Sequence, residues 1–350
     1  MTDAGPKSDQ EDHRTSGGPD RVDVARLCRA ESSREGPGTP LRVPGYNDYL
    51  VAKIELSFAD YVAARKGAAQ TRAREGAAYA YAGDLKVRQT LSKVRPVTLA
   101  AEATVRFWQT VERSRMLGTA VKVTEKQFPN LHKLAVRCAE MLQIAVPTLY
   151  VSPNIGSLNA HTFGTTDEAY IVLNAALVDH LSEIELLDVI GHECGHIQND
   201  HAVYLTTLYF LGHMGGTLLQ WGARPAVLAL KAWARRAEIT CDRTGLLCMR
   251  DLDASIGCLV KLALGSKKLY SQINLDEYLR QLEESRGPGR FDELGRSHPY
   301  LPKRVAALRL FADTTYYKSV VKGGQDAEPV SGLSKEECDA KVSELLSVLR

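Results

Sequence analysis

The sequence predicts an α+β fold that is mostly helical and carries one small β-sheet. Three observations predict it. Apolar residues recur at helical spacing through most of the chain after residue 46, short β-prone runs are confined to 148–174, and Ser182 with Glu185 opens an uninterrupted helix that runs past residue 196.

Composition sets the bounds. The chain has 350 residues, 44% hydrophobic and 25% charged, which is ordinary soluble globular material with enough apolar side chains for one large core or two modest ones. A net charge of +2 leaves no electrostatic footprint for nucleic acid, so no nucleic-acid partner is expected. Cys28, Cys138, Cys194, Cys241, Cys248, Cys258 and Cys338 form no close pair and leave one over, which reads as reduced thiols and a cytoplasmic address. The first forty residues mix Gly, Pro, Ser and charges of both signs, with no apolar run to offset ordering or to act as a secretory signal. The expected division is a disordered extension over 1–45, a helical cap over 46–118, a core over 119–322, and a linker with an amphipathic helix over 323–350.

The elements of the core follow in order. NLHKLAVRCAEMLQI, from Asn130, carries a helical apolar stripe ended by Pro147, and TLYVS at 148–152 is a short strand. LNAHTFG and AYIVLN flank the turn-like TTDE at 165–168 and suggest a β-hairpin. The next helix starts at a capping box in which Ser182 accepts from the third helical residue and Glu185 reaches back. In the tail, Ser334 and Glu337 repeat that box, and Val342, Leu345, Leu346 and Leu349 form one stripe expected to dock on its own chain.

Within the Ser182 helix lies VIGHECGHIQNDH, residues 189–201. Four residues are slightly more than one turn, so His192 and His196 share a face and can grip one ion. Glu193 is rotated by about 100° from His192 and suits a different task, taking a proton from water acidified by the metal. A catalytic zinc needs a third protein ligand. The positions three and six past His196 are Asn199 and Ala202, which excludes the extended motif with Gly and His there. His201 is expected at the surface near the helix end. RRAEITCDRTGLL offers Glu238 as third ligand, and Asp242 one turn later as acceptor from the far nitrogen of a liganding histidine, His192 in this reading.

GHECGHIQNDH, followed by EITCD, preceded by LNAHTFG and YIVLNAALV, and trailed by SHPYLPKRVAALRLF, resembles the HtpX and CAAX prenyl protease superfamily of gluzincin zinc metallopeptidases over about residues 95–312. The resemblance implies a zincin-like core with a small sheet beside the ligand helix. It implies one Zn2+ per chain on His192, His196 and Glu238, and hydrolysis of peptide bonds with Glu193 as general base. It also implies that Asn159 and Ala160 lie on an edge strand that pairs with extended substrate. His298, in the Ser-His-Pro loop, is expected to stabilise the oxyanion or to fill the open metal position and hold the site latent. Arg304 is expected to anchor its helix.

The run 202–220 is uncharged, but His213, Gln220 and several Gly and Thr make it poor membrane-spanning material, and 202–234 reads as a helical hairpin between the ligand helices. Membrane contact there is the less favoured expectation, with peripheral association as the alternative to a cytoplasmic address. Two functions remain open. One is a zinc endopeptidase acting on extended or unfolded polypeptide in protein quality control; the other is a zinc-stabilised chaperone-like or binding module with latent or lost turnover. The sequence leaves the oligomeric state open.

Overall fold

A computed structural model describes residues 77–92, 110–111, 113–164, 169–213, 217–284, 288–322 and 331–347. The expected extension over 1–45 and most of the expected cap over 46–118 lie outside them, as does most of the tail linker.

Helix α1 (Ala82–Ser92) is followed by β1 (Val121–Lys122), α2 (Pro129–Leu142) and β2 (Thr148–Ser152). Then come β3 (Ala160–Gly164), β4 (Ala169–Asn174), α3 (Ala175–His180) and α4 (Glu183–Gln198). The strands form one mixed sheet in the order β1-β2-β4-β3, with β2 and β4 parallel and the other pairs antiparallel. The expected pairing of the two runs around 165–168 is present, in a register that sets Ala160 opposite Leu173 and Thr162 opposite Ile171. Alternation divides the sheet cleanly. Leu149, Ile171 and Leu173 face the helices and join the main core, whereas Tyr150, Phe163, Tyr170 and Val172 pack with Met116 on the other face.

Helix α2 buries Leu131, Ala135, Cys138, Ala139 and Leu142, one stripe at helical spacing, with Pro129 in its first turn. Helix α4 begins as expected: the Ser182 amide donates to Glu185 Oε2 at 2.9 Å, and Lys261 reaches the other oxygen of that carboxylate. After α4 come α5 (Ala202–His213) and the 33-residue α6 (Thr217–Met249), which pack on each other. Among the described residues no helix is long and apolar enough to cross a membrane. Helix α7 (Leu252–Leu264), short α8 (Lys267–Tyr270), α9 (Leu275–Glu284) and a 3-10 turn (Pro288–Gly295) precede α10 (Leu301–Ala312), α11 (Thr315–Lys322) and α12 (Lys335–Leu346). Helix α12 docks on its own chain through buried Cys338 and Val342, and Asp339 pairs with Arg243 of α6 at 2.7 Å.

Helices α4 and α6 form the most extensive helix pair, and their seam is built from glycines. A Cβ on Gly191 would meet Cys248 Cβ at 2.8 Å, one on Gly195 would meet Thr244 Oγ1 at 2.3 Å, and one on Gly245 would meet the Asp188 carbonyl oxygen at 2.8 Å. Only hydrogen fits at those contacts, so the two backbones approach closely enough for side chains on both to share one site. Gly245→Ala is expected to lower stability by about 1–3 kcal/mol, because the clash with a fixed carbonyl outweighs the helix propensity that alanine adds. Urea unfolding reads this directly, and an unchanged midpoint would show that the seam has slack.

Candidate metal centre

The capping box fixes where α4 starts, and from there one turn separates His192 from His196. Their rings meet edge to face with centroids 5.1 Å apart, on the side of α4 that faces α6. Glu238 of α6 arrives opposite them. His192 Nε2 is 3.6 Å from Glu238 Oε2, and His196 Nε2 is 3.5 Å from Glu238 Oε1. His298, on the loop before α10, brings its own Nε2 to 3.5 Å from Oε1.

These distances are too long for hydrogen bonds, and Glu238 Oε2, buried, has no hydrogen-bond partner. A buried carboxylate oxygen without a hydrogen bond is costly, and Oε2 has only His192 Nε2 at 3.6 Å and Arg304 Nη2 at 3.5 Å facing it, both beyond hydrogen-bond distance. Ligands held about 2.0–2.2 Å from a tetrahedral zinc stand roughly 3.3–3.5 Å from one another. The donor types, and the two imidazole-to-carboxylate distances taken singly, suit a small cation held between the groups.

The nitrogens facing away are all engaged. His192 Nδ1 donates to Asp242 Oδ1 at 3.1 Å. Asp242 is gripped by both arms of Arg304, from Nε at 2.9 Å and from Nη2 at 2.5 Å. Burial would raise the Asp242 carboxyl, but the Arg304 charge and the hydrogen bonds from Arg304 and His192 hold it below the usual range. Burial would lower His192, but the Asp242 bond and the charges of Glu238, Asp242 and Glu193 push it up to about 9. His196 is lowered by burial despite Glu238 beside it. Glu238, which burial alone would raise, is held well below the carboxylate range by His298, His196, Arg304 and His192. The expected role of Arg304 as a helix anchor is thus only half of its work: it also binds the acceptor of His192 and lies 3.5 Å from Glu238 Oε2.

Glu193 turns toward the sheet. Thr162 of β3 places its hydroxyl 2.6 Å from Glu193 Oε2 and 3.2 Å from the Glu193 carbonyl oxygen. Ala160 is the first residue of β3, an edge strand, and Asn159 precedes it with an exposed side chain while its carbonyl accepts from the Asn174 amide at 3.0 Å. Ala160 and Thr162 share a strand face, which links this segment to Glu193.

The loop carrying His298 is clamped from α6. Arg235 Nη1, one turn before Glu238, donates to the carbonyls of Glu293 at 3.0 Å and Arg296 at 2.7 Å, and Lys231 Nζ donates to Gly295 at 2.6 Å. Glu293 in turn accepts from the Tyr300 amide at 3.1 Å and from Lys303 Nζ at 2.6 Å. His298 is itself exposed and borders an open cavity of about 490 Å³, together with Lys231, Tyr278, Arg296 and Tyr300.

The placement of His201 departs from expectation. It is fully buried, because Asp200 takes a left-handed φ of 57° and folds the chain back under α4, where the His201 amide reaches the His196 carbonyl at 2.8 Å. His201 Nδ1 lies 3.2 Å from His196 Nδ1. Cys241 Sγ is 3.6 Å from His201 Nδ1. His192, His196 and Cys241 offer donor atoms within 4.8 Å of one another, a second candidate metal set. We favour the Glu238 set: Cys241 Sγ is already engaged with His201 Nδ1 at 3.6 Å and burial and nearby carboxylates push the thiol well up, whereas the Glu238 carboxylate is held well below its usual range. Thr162, Arg235 and Glu293 carry no signal of their own in the sequence, since an isolated polar residue does not announce its partner.

Residues 125–312 match the family described as Peptidase family M48. The chain is 34% identical over 220 residues to the plastoglobule-localized metallopeptidase 48, chloroplastic, of Arabidopsis thaliana, across 59% of this chain and 63% of that protein. It is 23% identical over 246 residues to a protease HtpX homolog of Streptococcus pyogenes serotype M28 (strain MGAS6180), across 59% of this chain and 82% of that protein. The chain thus spans less than two thirds of the Arabidopsis relative. The family match covers more than half of the sequence and takes in α4, the described part of α6 that bears Glu238, and the His298 loop, so this chain belongs to peptidase family M48, a family of metallopeptidases.

Proposed function

We propose that the chain is a zinc-dependent endopeptidase that cleaves extended or unfolded segments of polypeptide. The observation that carries this reading is the buried Glu238 carboxylate, unmatched at Oε2 and ringed by three imidazole Nε2 atoms at 3.5–3.6 Å. His192, His196 and Glu238 hold the ion, and Asp242, locked by Arg304, orients His192. Bound zinc supplies a Lewis acid that polarises the scissile carbonyl and acidifies water.

The chain's own groups do the rest. Glu193 takes a proton from the attacking water and returns it to the departing amine. Thr162 donates to Oε2, which fixes the carboxylate and leaves Oε1 for that proton. Asn159 and Ala160 open the edge strand β3, along which substrate backbone adds as a further strand, and this pairing selects extended chain over folded domains. His298 stabilises the oxyanion from its clamped loop. The same imidazole stands as close to Glu238 as the two helical histidines do, which supports the second reading, a zinc-stabilised binding module held latent by a fourth ligand. The six described cysteines, all free and buried, fit a reducing compartment and a cytoplasmic address; contact with a membrane through 202–234 is the alternative that sedimentation without detergent tests.

The purified chain is expected to carry about one zinc, and Glu238→Ala, His192→Ala or His196→Ala to lower occupancy sharply by removing one of three ligands. Metal analysis decides this; full retention of zinc in Glu238→Ala would sink the ligand assignment. Glu193→Gln keeps a hydrogen-bonding side chain of the same shape but removes the base. It should retain zinc and the folded state while losing about 10²–10⁴-fold in cleavage of an unfolded protein. Undiminished cleavage in that zinc-loaded variant rejects Glu193 as the base. A silent wild type that becomes active on His298→Ala establishes latency, and silence in both favours the binding module.

A further inference from the structure

His196 lacks the direct carboxylate partner that His192 has in Asp242. Behind it stands His201, and behind His201 stands Asp84, both fully buried. His201 Nδ1 is 3.2 Å from His196 Nδ1, and His201 Nε2 is 3.0 Å from Asp84 Oδ2. Asp84 also accepts from Trp233 Nε1 at 2.9 Å and from Thr240 Oγ1 at 2.8 Å. The Trp233 ring meets His201 edge to face with centroids 5.4 Å apart, and Tyr204 packs on Trp233 in turn. Apart from His196, none of the residues in these contacts has a role assigned above.

With both imidazoles neutral, donor and acceptor capacity sets the direction of each bond in this chain. Indole nitrogen only donates, and the Thr240 hydroxyl, whose oxygen accepts from the Tyr81 amide, turns its hydrogen to Asp84. Asp84 therefore acts as a three-fold acceptor; burial would raise its carboxyl, but His201, Thr240 and Trp233 hold it low. An ionised carboxylate cannot donate, so His201 carries a proton on Nε2, and in the neutral imidazole its Nδ1 then presents a lone pair. His196 supplies the hydrogen from its own Nδ1, nearer than the Cys241 thiol at 3.6 Å. The Nε2 lone pair of His196 is thereby left pointing at the Glu238 side, which is the form that binds a metal.

We propose that Asp84 and His201 are positioning residues that lock His196 in its metal-binding tautomer through a buried Asp84–His201–His196 relay. The proposal rests on His196 being a ligand. Asp84 lies on α1, upstream of the residues 125–312 that match the family, so the segment before that match completes the metal site from behind. The relay also gives the buried position of His201 a purpose that a surface histidine at a helix end would not have.

Selective ¹⁵N labelling of histidine imidazoles in the full-length, metal-free wild type reads the tautomers without any substitution. His196 is expected to be protonated on Nδ1 and His201 on Nε2; a protonated Nδ1 on His201 overturns the relay. In zinc competition against a chelator, Asp84→Asn and His201→Phe are expected to weaken binding about 10–100-fold, the effect of losing such a partner. His201→Asn, whose amide oxygen can take over as acceptor, should recover most of that loss. Wild-type zinc affinity in both Asp84→Asn and His201→Phe overturns the proposal, and so does a loss in His201→Asn as large as in His201→Phe, which would mark packing alone. If His196→Ala abolishes binding while the relay variants do not, only the relay falls; if His196→Ala binds zinc normally, the ligand assignment falls with it.

Discussion

The close contact of α4 with α6 is the constraint on which the rest of the molecule depends. His192 and His196 come from one helix and Glu238 and Asp242 from the other, and these side chains reach one another only because Gly191, Gly195 and Gly245 leave nothing but hydrogen between the backbones. Helices in ordinary packing stand 8–10 Å apart according to the side chains between them, and glycine contacts lie at the close end of that range. Every other element can be seen as support for this pair. Helix α2 and the sheet cover α4, β3 brings Thr162 to Glu193, and α10 brings Arg304 to Asp242.

Such closeness concentrates charge in a dry place. Glu193, Glu238, Asp242 and Asp188 are all buried within a few turns of one another. The strain shows in Asp188, whose carboxyl burial pushes up to about 7 even with Ser255 donating to it. Glu238 and Asp242 stay ionised because Arg304 and the imidazoles surround them. Removing one partner from a buried charged pair costs about 3–5 kcal/mol, so each member here holds the others in place. The arrangement is poor as pure stabilisation, since well-packed apolar side chains do as well or better, and a cation held between the groups, as proposed above, would offset its cost.

The loop that bears His298 illustrates a different solution to the same demand for precision. An exposed loop has few apolar contacts to hold it, so its backbone carbonyls are tied to Arg235 and Lys231 on the helix that supplies Glu238. Loop and ligand then share one rigid support. His298 can be exposed to solvent without losing its distance to Glu238.

The sequence by itself determined the helical character of the core, three of the four described strands but not β1, both capping boxes, the facing of His192 and His196, and the place of Glu238 on a second helix. These are local or periodic properties, written in spacing of three, four or two residues, and they survive without knowledge of any distant contact. Apart from the pairing of His192 with Asp242, the tertiary structure alone decided which polar residues meet. His201 looks like a surface residue because nothing in NDH reveals the left-handed turn at Asp200 that tucks it under α4. Asp84, Thr162, Arg235 and Glu293 find their roles across separations of 31 to 117 residues, in pairings set by how whole elements pack. The parallel pairing of β2 with β4 was likewise hidden, since strand order follows from which faces the helices cover and not from the strands' own composition.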